Sequence, residues 1–170
     1  MSFFKIPFNS KVPTSADRDS IIENHIQKRK EIVYGAKAMN KQMKMWIVGR
    51  PTEDYDVFSK KPGESAKVLE KTLDKTTGRD QYYTKQANYK DTKKVMSRGF
   101  NLDDPSDDYG VADFTLQKSQ VKTKTIKGIM YADISHREET AMMSLKNPEF
   151  KFRHQKDIDD LKRIKISRRF

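Results

Sequence analysis

Between Glu31 and Thr76 the hydrophobic period of this chain switches repeatedly, and that switching narrows the fold more than any other feature. Glu31-Ile32-Val33-Tyr34 is a short strand-like run stopped by Gly35. The next segment, AKAMNKQMKMWI (36–47), repeats Met39, Met43, Trp46 and Ile47 at helical spacing, which predicts an amphipathic helix with those four in the core. Gly49 and Pro51 close it. DYDVFS (54–59) alternates at period two and predicts a strand. After the turn Lys61-Pro62-Gly63 the helical period returns over Glu64 to Thr76, with Ala66, Leu69 and Leu73 inward and Gly78 as the stop.

The flanks extend the pattern. Residues 1–19 carry Pro7, Pro13 and several hydroxyl side chains, so they predict an extended arm whose Phe3, Phe4, Ile6 and Phe8 dock on the domain. Ser20-Ile21-Ile22-Glu23 matches a capping box and predicts a helix to about Lys30. Asp80–Tyr89 and Lys93–Ser97 predict a pair of strands, 110–116 (GVADFTL) another, and Val121–Tyr131 one or two more. Helices are expected over 134–146 and 155–166, on either side of Pro148. The order implies one α/β (α+β) domain at 20–166, a mixed sheet flanked by helices, followed by a basic tail at 167–170.

Charge limits the function. Thirty-five basic against 24 acidic residues leave +11, which calls for an anionic partner: nucleic acid, nucleotide phosphates, an anionic membrane or an acidic protein surface. There is no cysteine, so thiol chemistry and zinc–thiolate sites are excluded. With no long apolar run, a transmembrane segment is not expected, and a soluble intracellular protein is the default.

Asp54 and Asp56 stand two apart on a strand and so point the same way. Like charges side by side are costly unless the face is wet or a cation sits between them. A third acid, Asp113, lies on a later strand between apolar neighbours. The set Tyr34-Gly35-Ala36, then Arg50-x-Thr52-x-Asp54-x-Asp56, then Asp113 in VADFT resembles the nucleotidyltransferase superfamily, the polymerase-β-like fold. The C-terminal KDIDDLKRI is similar to the closing helix of its small members. Where the family usually has Gly-Ser or Gly-Gly, this chain has Gly35-Ala36, without the hydroxyl. The resemblance covers about 20–166. It implies that Asp54, Asp56 and Asp113 are catalytic and bind Mg²⁺; by ligand chemistry Asp54 and Asp56 would bridge two such ions, and Asp113 would complete the one that activates an attacking hydroxyl. It implies that Gly35, Ala36, Lys37 and Arg50 bind the phosphates of an NTP. Transfer would be in-line attack of a hydroxyl on the α-phosphate, with pyrophosphate leaving.

The remaining clusters are weaker. Asp103, Asp104, Asp107 and Asp108 lack EF-hand spacing and read as a polar loop. His25, His136 and His154 show no metal-ligand spacing, and no nucleophile elbow is present. Lys85, Lys90, Lys93, Lys94 and Arg98 interleave with Tyr82, Tyr83 and Tyr89, a pattern that can track a nucleic-acid backbone. Lys162, Arg163, Lys165, Arg168 and Arg169 read as an electrostatic anchor on nucleic acid or an acidic protein. Two alternatives to the enzyme stay open. One is a non-catalytic structural or assembly protein, such as a minor virion component, that keeps the fold and docks on neighbouring subunits through its arms and charge. The other is a plain nucleic-acid-binding domain. Short lysine-rich versions of this pattern point to a viral source.

Overall fold

The computed structural model describes residues 15–44, 47, 49–89 and 91–169. Among the described residues five α-helices and seven strands follow in the order α1 (Ser15–Arg29), β1 (Ile32–Tyr34), α2 (Gly35–Gln42), β2 (Tyr55–Ser59), α3 (Pro62–Thr77), β3 (Tyr82–Gln86), β4 (Thr92–Ser97), β5 (Tyr109–Leu116), β6 (Thr123–Ile126), β7 (Ile129–Ala132), α4 (Ile134–Leu145) and α5 (His154–Arg169). The strands form one mixed sheet in the order β3-β4-β5-β2-β1-β7-β6. β2 runs parallel to β5 and β1 parallel to β7, and the other pairs are antiparallel. The expected mixed sheet flanked by helices is what forms.

Alternation decides which face of the sheet is core. In β2, Tyr55, Val57 and Ser59 are buried while Asp56 and Phe58 are not. Val33, Val57, Val95, Ala112 and Phe114 share the buried face and pack with Ile22 and Ile26 of α1 and Ala66, Leu69 and Leu73 of α3. The stripe on α3 is the one its period predicts. Pro62 opens that helix, and Gly78, at φ 70°, ends it with its N–H on the Asp74 carbonyl. Asp74 Oδ1 then accepts from the N–H groups of Gln81 and Tyr82, which aims the chain into β3.

Two boundaries differ from expectation. α1 is already helical at Ser15, the first residue described, ahead of the expected start at Ser20, and this stretch is tied across the fold: Arg18 donates to the Tyr109 hydroxyl and lies over that ring. The rest of the expected arm, with its four apolar residues, lies outside the described residues. α2 stops at Gln42 and not at 47. The Gln42 amide donates to the Ala38 and Ala132 carbonyls and accepts from Ile134 N–H, anchoring the helix end, and Met43 leaves in an extended conformation. Of the expected stripe Met39 is in the core, Met43 and Ile47 are half-buried, and Trp46 lies outside the described residues. The acidic 103–108 stretch is a capped turn: Asp104 accepts from Ser106 N–H, and Asp108 from Gly99 N–H and the Tyr83 hydroxyl. Among the described residues no helix is long and apolar enough to cross a membrane.

Candidate functional site

Four strands bring one row of side chains across the face opposite the core. Tyr34 pairs with Asp56, Asp56 with Asp113, and Asp113 with Lys94. Directly paired residues share a face, so register alone sets the two carboxylates side by side. Asp54 sits just before β2, steadied by a 3.3 Å hydrogen bond from the Thr52 hydroxyl to its Oδ1. Asp54, Asp56 and Asp113 each bring an oxygen within 4.8 Å of the others. The three acids that the sequence singles out therefore meet at one point.

Their electrostatics are unfavourable as they stand. Asp56 is pushed from an ordinary 3.8 up to about 7, first by burial and then by the charges of Asp54 and Asp113, with Arg50 and Lys94 offsetting only part. Burial also raises Asp113, against the pull of the Lys94 ammonium 3.6 Å away. Asp113 Oδ1 is buried and takes no hydrogen bond from any described residue. A buried oxygen left unpaired among like charges is costly, and a hard cation at this point would relieve both problems. Gly35 completes the cradle. Its φ is +72°, and a Cβ there would stand 2.7 Å from Asp56 Oδ2, so any side chain is excluded twice over. The donor set fits a divalent metal ion.

Beside the carboxylates stands a group of arginines. Asp157 and Asp160, one helical turn apart on α5, are fully buried. Arg137 of α4 donates to Asp157 at 2.7 Å and to Asp160 at 3.0 Å. Arg50 donates to both oxygens of Asp160 at 3.2 Å, and Arg163 to Asp160 at 3.0 Å. Arg153 lies 3.5 Å from Asp157. Four guanidinium groups on two carboxylates leave positive charge in excess. Burial works to raise the Asp157 carboxyl, but the Arg137 hydrogen bond and the charges of Arg153 and Arg137 outweigh it and hold the group below its ordinary value. Arg50, Arg137 and Arg153 line the same cavity of ≈ 440 Å³ as Gly35, Asp56 and Asp113.

No protein-family model matches the chain, and no curated protein matches it. Solved structures do. The crystal structure of the Megavirus polyadenylate synthase superposes with a TM-score of 0.70 and 22% identity, over 93% of this chain and 33% of that one. The chain has the nucleotidyltransferase fold. JHP933 from Helicobacter pylori superposes with a TM-score of 0.53 and 12% identity, over 86% of this chain and 62% of that one. At these identities the likeness is one of fold. The chain spans about a third of the length of the synthase and less than two thirds of JHP933.

The other expected residues divide around this site. Ala36 is buried in the first turn of α2, behind Gly35, and both line the cavity. Lys37 does not join them. Its ammonium lies 4.3 Å from the centre of the Tyr55 ring, and Tyr55 alternates with Asp56 to the other side of β2. Lys94 is in the site, paired with Asp113, and Lys85 stands opposite Lys94 in the next strand. Lys93 alternates to the other face. Arg98 covers the Tyr83 ring and reaches Asp80. On α5, Lys162, Lys165 and Arg169 are exposed, but Arg163 turns in to Asp160 and Arg168 pairs with Glu138. Arg137 and the role of Asp160 were not foreseen. The available signal was Asp157 and Asp160 at i and i+3 beside Ile164: two acids on a buried helix face need cations.

Proposed function

We propose that the protein is a Mg²⁺-dependent nucleotidyltransferase that moves a nucleoside monophosphate from an NTP to a hydroxyl on an anionic acceptor. The observation that carries this is the convergence of Asp54, Asp56 and Asp113 beside a glycine corner, with an unpaired Asp113 oxygen, where Asp56 and Asp113 line one cavity with surplus guanidinium charge. Asp54, Asp56 and Asp113 would hold the metal. When bound, Mg²⁺ supplies Lewis-acid stabilisation of the phosphate charge and makes a hydroxyl a better nucleophile.

The chain's own groups do the rest. The free N–H groups at the start of α2, approachable because residue 35 has no side chain, receive phosphate oxygens. Arg50, Arg137 and Arg153 neutralise the phosphates, and Asp157 and Asp160 hold the Arg137 fork rigid so that little reorganisation accompanies reaction. The acceptor hydroxyl gives up its proton to water or to a carboxylate of the triad, its oxygen bonds to the α-phosphorus as the bond to the β-phosphate bridging oxygen breaks, and pyrophosphate leaves on the arginine side. The acceptor approaches over β5, β4 and β3, where Lys94, Lys85 and the Arg98–Tyr83 pair offer charge and a stacking surface. That surface suits a polynucleotide end, and the name of the Megavirus synthase favours adenylate addition.

The test is thermal stability with each NTP in the presence and absence of Mg²⁺, followed by incorporation of labelled nucleotide into oligonucleotides. Metal-dependent stabilisation by NTP, and labelling lost in Asp56→Ala, are expected. If no NTP stabilises the fold and no label is transferred, the enzyme reading fails and the structural role takes its place.

A further inference from the structure

The cavity that holds the carboxylates does not end at them. It continues along the sheet face to Phe58, Thr115 and His136, and the same three residues line a second cavity of ≈ 530 Å³. The far wall of that cavity is Leu116 at the end of β5 and the segment that follows it, residues 117–122, with Glu139 of α4 at the rim. Phe58 stands two residues beyond Asp56 on the same strand face, a separation of about 6.6 Å. That is roughly the span of a ribose.

The floor at this point is rigid and aromatic. Phe58 stacks on Tyr34 with ring centres 3.9 Å apart and planes at 18°, and His136 stands edge-on to Phe58 at 5.5 Å. The Tyr34 hydroxyl is hydrogen-bonded to Thr115 at 3.1 Å, and Thr115 to Thr92 at 3.0 Å. These rings lie outside the hydrophobic core, which is on the opposite face of the sheet. Around them the wall turns polar, with Gln117, Gln120 and Glu139. A flat apolar pad with amides and a carboxylate at its edge matches a ligand that has a π-face and a hydrogen-bonding perimeter.

We propose that the second cavity seats the nucleobase of the donor nucleotide against Phe58 and His136, with residues 116–122 as the wall that selects among bases. The inference rests on the nucleotidyl-transfer reading and divides it into two parts, phosphate recognition at the carboxylates and arginines and base recognition one ribose away.

The experiment is isothermal titration with Mg²⁺ of the four NTPs and of inorganic tripolyphosphate, on the unmodified protein, on Phe58→Leu and on Val121→Trp. The Leu variant removes the stacking ring while keeping apolar bulk. The Trp variant fills the cavity from its loop wall and keeps the test alive if Phe58→Leu does not fold. At least one NTP should bind about ten-fold or more tightly than tripolyphosphate. Either variant should erase that preference and leave tripolyphosphate affinity within about two-fold. Equal affinity for NTP and tripolyphosphate, or a preference that survives in the folded variants, overturns the base site and leaves the phosphate site standing. Failure of every NTP and of tripolyphosphate to bind overturns the nucleotidyl-transfer reading itself.

Discussion

Replacing Asp56 by Asn should make the metal-free protein more stable, although it removes a side chain central to the proposed chemistry. The carboxyl titrates near 7 in the fold against 3.8 ordinarily. A raised carboxyl favours folding fully below the unfolded value, and that contribution is lost as pH rises towards the folded value. Above pH 7 the fold therefore carries the whole cost of an ionised Asp56. At about 1.4 kcal/mol per pH unit, the gap corresponds to about 4 kcal/mol as a ceiling. Relaxation of Asp54 and Asp113 should bring the measured gain for Asp56→Asn to about 2–4 kcal/mol at pH 8, or about 5–12 °C in melting temperature for a domain of this size. The assay is calorimetry or urea unfolding in a chelator, repeated down to pH 5. The gain should shrink steadily over that range, because the native protein protonates Asp56 and relieves itself. Saturating Mg²⁺ should narrow or close the gap: a ligand at 100 times its dissociation constant adds about 2.7 kcal/mol to the native protein, and the variant should gain much less. An Asp56→Asn protein no more stable than the native one at pH 8 in chelator, or a gain independent of pH, would refute the claim that the three carboxylates repel one another.

Other substitutions probe the surroundings. Gly35→Ala should lose about 1–3 kcal/mol from the left-handed backbone alone and abolish stabilisation by Mg²⁺, since its Cβ invades the Asp56 carboxylate; calorimetry with and without the ion reads both. Arg137→Met should cost about 3–5 kcal/mol in urea unfolding, because it strips the main partner from two buried aspartates. His25 is buried against Ser65, and burial together with the Arg29 charge lowers it from 6.5 to about 4. The fold keeps it neutral while the unfolded chain protonates, so stability falls by about 3 kcal/mol as pH drops from 6.5 to 4, and His25→Gln should flatten that limb of a pH-stability curve.

Much of this architecture was legible because its information is local. Gly78 after a helical stripe, Gly35 after a β-branched run and the alternation in Tyr55-Asp56-Val57-Phe58 each fix an element from a few neighbouring residues. The meeting of Asp56 with Asp113 was legible for a different reason: a charged residue between apolar neighbours on a strand has only one wet face to occupy. What sequence reading lost was set by partners far along the chain. Arg18 ties the first described stretch of α1 to Tyr109, 91 residues away, and Gln42 ends α2 through Ala132, 90 residues away. Local signals, a capping box at Ser20 and a Met-Trp stripe, could not register either tie. The placing of Lys37 over the Tyr55 ring, away from the cavity, was hidden for a similar reason, since in the first turn of α2 the choice between the two depends on where the helix axis points.

The arginine group shows what kind of information was missing. Arg50 and Asp160 are 110 residues apart, Arg137 and Asp160 only 23, and nothing in either segment alone reads as a site. A basic chain conceals such a group, because 35 cations offer many partners and formal charge does not say which are buried. The two aspartates were the better clue. A surface carboxylate needs no partner, but Asp157 and Asp160 lie on the face of α5 that also carries Ile164, and that face must turn inward. Burying two anions requires cations to come with them. The cations that come, from the loop before β2, from α4 and from α5 itself, are carried to the rim of the carboxylate centre by the same packing that closes the domain. Positive charge beside three acids is thus a consequence of how the last helix docks, and a change that loosens α5 should weaken anion binding at the site before it unfolds the sheet.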